Sequence, residues 1–458
     1  MNEHSQGWLP SWTKLWLRDS SVLLASQLVA VVITSTLAIL IARDLGPAEW
    51  GVFSALLGLS LALSVFVHLG LGTWLLRELS ARWARDDSDT VHARREAGSI
   101  VAGALLLNVC LGGALVLAAL AVTSLVGWGT DRSLGLVGLA GYATLLAIAS
   151  ELEAVFRARR ELRPVVIATL LEKGVLLPLV VLSLLGDHGL SGIALSYVVA
   201  ASGRVLFIGL NIMLRDILLL SLPHPRAVWA LARRTLPFAL TSVSFNTIPR
   251  LDVFLIAAFS AFSAGYFAIG DRMVGAALLI PMSASSALYP FFANQREGDS
   301  GWKAVGLLGL IGAALAAGGI ATAPLLVPAL FGEEFAVAVR TVQVMLLVLP
   351  LSFFSSGLIA WLYSKGLERR VLLVTVTGGI AGTTAIVAGQ LFLGPTGAGL
   401  GFLFRQGLFA AALARLAFSV QRAEARRTST APAPTRVPKV PITPGVPAIP
   451  NAEHVQRP

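Results

Sequence analysis

Twelve apolar runs, each long enough to cross a lipid bilayer, leave this chain few ways to fold. A membrane-crossing helix needs about 20 apolar residues. Runs of that length lie near 20–42, 51–76, 98–122, 133–156, 164–186, 190–212, 236–259, 264–291, 304–328, 336–362, 371–393 and 397–418. The connectors are short and no large soluble segment interrupts them. The chain is 56% hydrophobic and 13% charged, against about 25% charged residues in an ordinary soluble domain. The expected fold class is therefore an all-α polytopic membrane protein of about twelve transmembrane helices.

The net charge of +10 would point to nucleic acid in a soluble chain. Here the basic residues alternate by connector, so no nucleic-acid partner is expected. Arg77, Arg82, Arg85, Arg94 and Arg95 follow the second run; Arg157, Arg159, Arg160 and Arg163 follow the fourth. Arg215, Arg226, Arg233 and Arg234 follow the sixth, Arg296 and Lys303 the eighth, Lys365, Arg369 and Arg370 the tenth, and Arg422, Arg426 and Arg427 the twelfth. The intervening connectors, such as "GDHG", "SAFS", "FGEEF" and "GPTG", carry almost none. The positive-inside rule then puts both termini in the cytoplasm and makes this a multi-pass plasma (inner) membrane protein. The start "MNEHSQGWLPSWTKLWLRDSS" lacks a cleavable small-residue site and is expected to remain attached.

Trp8, Trp12 and Trp16 recur every four residues, which puts them on one face of a short helix. Residues 1–19 are expected to be an interfacial helix with its tryptophans at headgroup depth. From Thr428 the chain becomes rich in Pro and Ala, so residues 419–458 are expected to be a disordered cytoplasmic tail. The single cysteine, Cys110, excludes a disulfide framework and a Cys metal site, and no metal or cofactor is expected. A faint internal repeat lays 37–54 over 251–268 without gaps. It matches Leu37 with Leu251, Gly51 with Gly265, and Phe53 with Phe267. It falls where a duplication of six spans would put it, and transporters built from repeats bind substrate at the repeat interface.

"ARDLGPAEWGVFSALLGLSLALSVFVHLGLGTWLLREL" (42–79) resembles the opening hairpin of bacterial polysaccharide and oligosaccharide flippases (Wzx-like), in the multidrug/oligosaccharidyl-lipid/polysaccharide flippase superfamily. "RLDVFLIAAFSAFSAGYFAIGDRM" (250–273) is similar to that family's seventh and eighth spans, and "FGEEFAVAVRTVQVMLLVLP" (331–350) to its tenth. The resemblance runs from about residue 20 to 420. It implies two pseudo-symmetric six-helix lobes around a central cavity: an N-lobe at 20–212, a cytoplasmic connector at 213–235 and a C-lobe at 236–418. It also implies alternating access, with an undecaprenyl-pyrophosphate-linked oligosaccharide carried to the outer leaflet for cell-surface polysaccharide biosynthesis. Partners would be that lipid-linked substrate, membrane lipids, and a polysaccharide polymerase or glycosyltransferases.

Such a substrate has a pyrophosphate and a glycan that cannot enter hydrocarbon without losing their water. A wet, cationic chamber is the physical answer, and Arg suits it because its planar fork holds phosphate oxygens while staying charged. A charge in the bilayer centre costs about 2.5–3.5 kcal/mol on insertion scales, so it marks function or a partner. Arg204, Arg250, Arg272 and Arg405 lie well inside their spans and are the expected headgroup residues. Arg43, Arg77 and Arg340 lie near span ends and are expected to snorkel.

Glu172, Lys173, Asp252 and Asp271 are candidates for ion coupling or charge pairing, with a proton or sodium as coupling ion. Asp252 is two residues beyond Arg250, so the two face different sides of a helix. A crossed pairing of Arg250 with Asp271, or of Asp252 with Arg272, is expected across the hairpin. Glu151 and Glu153 are expected to pair with the Arg157–Arg163 cluster. Gln27, Asn108, Asn211, Asn246, Gln343, Gln390 and Gln406 would bind sugar hydroxyls or join helices. His68 and His188 receive no role. Two other functions compete: a multidrug or cation exporter on the same fold, disfavoured by the excess of intramembrane Arg over carboxylate, and a polymerase or glycosyltransferase. The enzyme reading is weak because no nucleophile, metal or nucleotide motif is found.

Overall fold

The computed structural model describes residues 11–83, 90–219, 221, 223, 226, 228–235, 248–281 and 300–430, with side chains at 26–83, 90–219, 221, 223, 226, 228–235, 250–281 and 301–423. Regular structure among them is entirely helical. In chain order the helices are α1 (Ser11–His68), α2 (Leu71–Trp83), α3 (Val91–Val126), α4 (Thr130–Ala158), α5 (Leu162–Leu185) and α6 (Gly189–Leu214). They continue as α7 (Ile248–Ala257), α8 (Ala261–Ala277), α9 (Ser300–Phe331), α10 (Ala338–Leu346), α11 (Val348–Ser364) and α12 (Glu368–Thr430).

Eight helical stretches are long and apolar enough to span a membrane. Two of them contain a break at Leu-Gly-Pro. In α1, Gly46 adopts φ 71° and Pro47 follows; in α12, Gly394 adopts φ 64° and Pro395 follows. Glycine enters the left-handed region without a Cβ clash, and proline fits the first turn of the helix that restarts. Dividing the eight stretches at these two glycines leaves helices at ten of the expected twelve spans. α7 and α8 represent parts of the seventh and eighth, whose remaining residues lie outside those described.

Three expectations change. Residues 11–19 run without a break into α1, so no separate helix ends at 19; Trp8 lies outside the described residues. The basic stretch after the second run begins as helix α2, where Arg82 bridges Glu78 and, 2.7 Å away, Glu96. α12 continues to Thr430, well past the expected start of the tail at 419. By its contacts the chain divides into a unit 1–414 and a unit 415–458, the latter helical where described.

Within the first unit, large apolar side chains such as Leu125, Leu185, Leu214 and Phe392 face outward, while Glu153, Glu172 and Asp252 are buried. That inversion of a soluble protein is what lipid as solvent selects. One packed core includes Leu37, Phe53, Tyr197, Phe267 and Phe402, from both halves of the chain; another gathers Leu71, Leu75, Phe156 and Ile208 from α2, α4 and α6.

The repeat has a structural counterpart. A Cβ added to Gly51 would lie 1.9 Å from the Ala261 carbonyl oxygen, and one added to Gly265 would lie 2.0 Å from the Pro47 carbonyl oxygen. The spacing that matches Gly51 to Gly265 also matches Pro47 to Ala261. The contact is therefore reciprocal, each residue meeting its partner's counterpart, as a two-fold relation requires. Small residues allow the two backbones to touch without a side chain between them.

Candidate functional site

The charged residues inside the helices form three groups. In the first, Arg204 on α6 donates through Nε to Glu153 Oε1 of α4 at 2.8 Å, and its terminal nitrogens reach both Glu153 and Glu172 of α5. Glu153 also accepts from Arg157, one turn on, at 2.8 Å. Glu172 accepts from Lys173 at 2.7 Å and from the Tyr142 hydroxyl at 3.5 Å. Three cations share two carboxylates, and three helices are tied together.

In the second group, Arg405 on α12 binds Asp252 of α7, and the Thr383 hydroxyl donates to the other Asp252 oxygen at 3.0 Å. Gly382 makes this reach possible: a Cβ there would lie 2.1 Å from Arg405 Cγ. The guanidinium also sits over the Phe402 ring, 4.8 Å from its centre, a cation–π contact.

The third group is open. Arg250 of α7 and Asp271 and Arg272 of α8 have side chains exposed on the packed helices, with Arg250 and Asp271 still crowded enough by protein to lose hydration. Among the described residues none of them closes an ion pair within 4 Å, yet each lies within electrostatic reach of the other two. Arg405 also lies within reach of Asp271, and Tyr197 within reach of Arg272. Tyr142 and Tyr197 meet edge to face at 5.0 Å, and Tyr142 lies within reach of both Arg204 and Arg250. These tyrosines link the first group to the third.

Arg250 lines a cavity of about 250 Å³ together with Ser64, His68, Thr73 and Ser150. The cavity lies where α1 ends and α2 begins. Leu69 (φ 43°) and Gly70 (φ 68°) are both left-handed there, so the helix cannot continue. Broken helices inside transporters line binding sites because they leave backbone polar groups facing a cavity.

The structure thus brings Arg250, Arg272 and Asp271 together, joins Arg405 to Asp252, and holds Arg204 with Glu172 and Lys173. Two expected pairings are corrected. Asp252 engages Arg405 rather than Arg272, and Arg250 and Asp271 lie within electrostatic reach without closing an ion pair. Glu153 does pair with Arg157, but Glu151 faces His68, whose Nδ1 is 3.9 Å from Glu151 Oε1. Positions 151 and 157 fall on different faces of α4, whereas 153 and 157 are one turn apart. Arg43, Arg77 and Arg340 are exposed. Asn211 donates to the Phe207 carbonyl and Gln343 to the Ile320 carbonyl, so these amides serve the backbone; Asn246 lies outside the described residues. Sequence reasoning missed Tyr142, Tyr197, Thr383 and the helix break at Leu69. Two consecutive residues, His68 and Leu69, before a glycine gave no recognisable signal. Among the described residues no cluster of His, Cys, Asp or Glu forms a metal site.

The profile of a family described as polysaccharide biosynthesis protein matches residues 16–296, more than half of the chain. The chain belongs to that family. No curated protein matches it. Among solved structures, it is similar to a multidrug resistance MATE family transporter of the MOP superfamily, in an inward-facing conformation. That match has 16% identity, covers 88% of this chain and 96% of the other, and gives a TM-score of 0.67. The lipid II flippase MurJ, in an inward closed conformation, matches at 12% identity over 88% of this chain and 87% of its own, again with a TM-score of 0.67. A MOP superfamily transporter from Pyrococcus furiosus, described by a reversed polarity of its binding pocket, matches at 15% identity over 89% of this chain and 96% of its own, with a TM-score of 0.57. A member of the polysaccharide biosynthesis family, the chain is a polytopic membrane protein with the fold of these transporters.

Proposed function

We propose that this protein is a flippase that carries an undecaprenyl-pyrophosphate-linked oligosaccharide from the inner to the outer leaflet of the plasma membrane by alternating access. Its termini would lie in the cytoplasm, and a polymerase or glycosyltransferases would act before or after it. The observation that carries this reading is the open pair Arg250 and Arg272, two accessible cations with no closed carboxylate partner among the described residues.

Charge arithmetic supports an anionic cargo. In the open group Arg250 and Arg272 supply two positive charges against the one carboxylate of Asp271, whereas Arg204 and Arg405 are each closed onto carboxylates. A pyrophosphate linking a lipid to a sugar has one ionised oxygen on each phosphorus, one for each of these two guanidiniums. Each guanidinium can hold two phosphate oxygens at once. The Ser64, Thr73 and Ser150 hydroxyls beside Arg250 suit the first sugar, since each both donates and accepts. The lipid tail stays among the outward-facing leucines.

The test is deletion of the gene, with analysis of lipid-linked intermediates. Undecaprenyl-linked oligosaccharide should accumulate on the cytoplasmic leaflet. The wild-type gene should clear it, and the double variant Arg250→Gln/Arg272→Gln should not. Unchanged intermediates with altered drug sensitivity would instead establish the exporter reading, for which the accessible carboxylate of Asp271 is the supporting feature.

A further inference from the structure

Behind the Arg250 cavity lies a carboxylate that the charge groups above do not use. Glu151 on α4 is fully buried, and among the described residues neither of its oxygens has a hydrogen-bond partner. Its neighbour from α3 is Asn108, also fully buried, whose two amide atoms are unpartnered as well. Leaving such groups unpaired is costly, more so when they are charged. No donor within hydrogen-bond distance among the described residues holds the charge of a carboxylate there, and a neutral acid loses less than an anion when buried.

The titratable group facing Glu151 is His68 from α1, 28% exposed and itself a wall of the cavity. Charged groups on the other packed elements are engaged elsewhere. Arg204 of α6 and Lys173 of α5 hold Glu153 and Glu172. Arg82 of α2 holds Glu78 and Glu96; the exception is Arg250 of α7, which closes no ion pair among the described residues and lines the same cavity as His68. Between cavity and carboxylate stands Gly72, in the first turn of α2. A Cβ there would lie 2.9 Å from Ser150 Oγ and 3.5 Å from Glu151 Oε2. Because Gly72 has no side chain, the buried acid is one thin wall from the cavity, and His68 spans both sides.

We propose that Glu151 and His68 form a proton-binding site at the α1–α2 break, whose protonation is linked to occupancy of the adjacent cavity by an anion. The linkage rests on the headgroup reading above; the proton site itself does not. An anion drawn in by Arg250 places negative charge beside His68, which favours the protonated form of the pair. Binding therefore takes up protons, bounded at about one per site, and by reciprocity acidification tightens anion binding.

The experiment uses the whole protein in lipid nanodiscs and inorganic pyrophosphate as probe. Infrared difference spectra between neutral and acidic pH should show a carboxylic-acid band that is lost in Glu151→Gln and displaced in His68→Gln. Both variants are checked for wild-type melting and monodispersity. Calorimetry in two buffers of different ionisation enthalpy should show proton uptake when pyrophosphate binds the wild type, absent from both variants. In Gly72→Val, which keeps both groups but fills the wall, the uptake should be reduced. A band that survives Glu151→Gln overturns the proton site. Pyrophosphate binding with no proton exchange overturns the linkage. If pyrophosphate fails to bind the wild type while the band behaves as expected, the headgroup reading of the cavity falls and the proton site stands.

Discussion

The two halves of the chain bury an arginine in opposite ways. In the N-terminal half, Arg204 shares two carboxylates with Arg157 and Lys173 across α4, α5 and α6. In the C-terminal half, Arg405 has one carboxylate, Asp252, braced by one hydroxyl. The first arrangement is redundant at Glu153: losing it would still leave Arg204 on Glu172, and Arg157 is half-exposed and can be hydrated. The second is not. The difference teaches where charge can be uncovered. The C-terminal half, with its single clasp, also leaves Arg250, Asp271 and Arg272 exposed and without a closed ion pair among the described residues. The unpaired cations therefore lie in the C-terminal half, and one of them, Arg250, lines a cavity whose other walls come from the N-terminal half.

Removing one partner breaks the comparison most directly. Breaking a buried ion pair costs about 3–5 kcal/mol, because the charge left behind has no partner and no water. Asp252→Ala should reach that range and strongly lower the melting temperature of purified protein. Glu153→Ala should lower it by less than half as much, since Arg204 retains Glu172 and the half-exposed Arg157 is hydrated. Equal losses would show that the N-terminal cluster is not redundant. Changing both partners sharpens the result: Asp252→Asn with Arg405→Gln should be milder than Asp252→Asn alone, with a coupling of about 1–3 kcal/mol.

The contact between the halves offers the next test. Gly51 and Gly265 each leave no room for a Cβ, at 1.9 and 2.0 Å from a facing backbone carbonyl. Overpacking of this kind costs about 1–3 kcal/mol. Gly51→Ala and Gly265→Ala should destabilise to a similar degree, as measured by thermal unfolding, because the contact is reciprocal. A twofold or greater disparity in their melting shifts would show that the two sides are not equivalent in energy.

Some of this could be read in advance and some could not. Span positions follow from run length, and the two Leu-Gly-Pro turns fall between runs because glycine and proline interrupt an apolar helix there. That Arg250 and Asp252 face apart followed from helical geometry, and they do: one lines a cavity and the other is buried against α12. The partner of Asp252 was not legible. Arg405 lies 153 residues away, and which helices adjoin, and how each is rotated, depends on packing that no single span encodes. The Glu151 error was avoidable, since a residue two positions from Glu153 cannot share its face. The break at Leu69 had no signal, because a leucine in a left-handed conformation is held there by tertiary structure rather than by propensity.

The two Leu-Gly-Pro turns give the smallest and most discriminating comparison. Gly46 and Gly394 have nearly the same φ, 71° and 64°, so an alanine at either pays the left-handed penalty of about 1–2 kcal/mol. Their surroundings differ. A Cβ at Gly394 meets nothing within 4 Å, whereas one at Gly46 comes 3.1 Å from Glu334 Oε2. Gly394→Ala should therefore cost backbone strain alone. Gly46→Ala should cost slightly more, and Glu334→Ala, by removing the contact, should bring it back to the Gly394→Ala value. Melting shifts of the three variants and of Gly46→Ala/Glu334→Ala decide it. If the double variant is no better than Gly46→Ala alone, the strain at Gly46 lies wholly in the turn and Glu334 adds nothing to it.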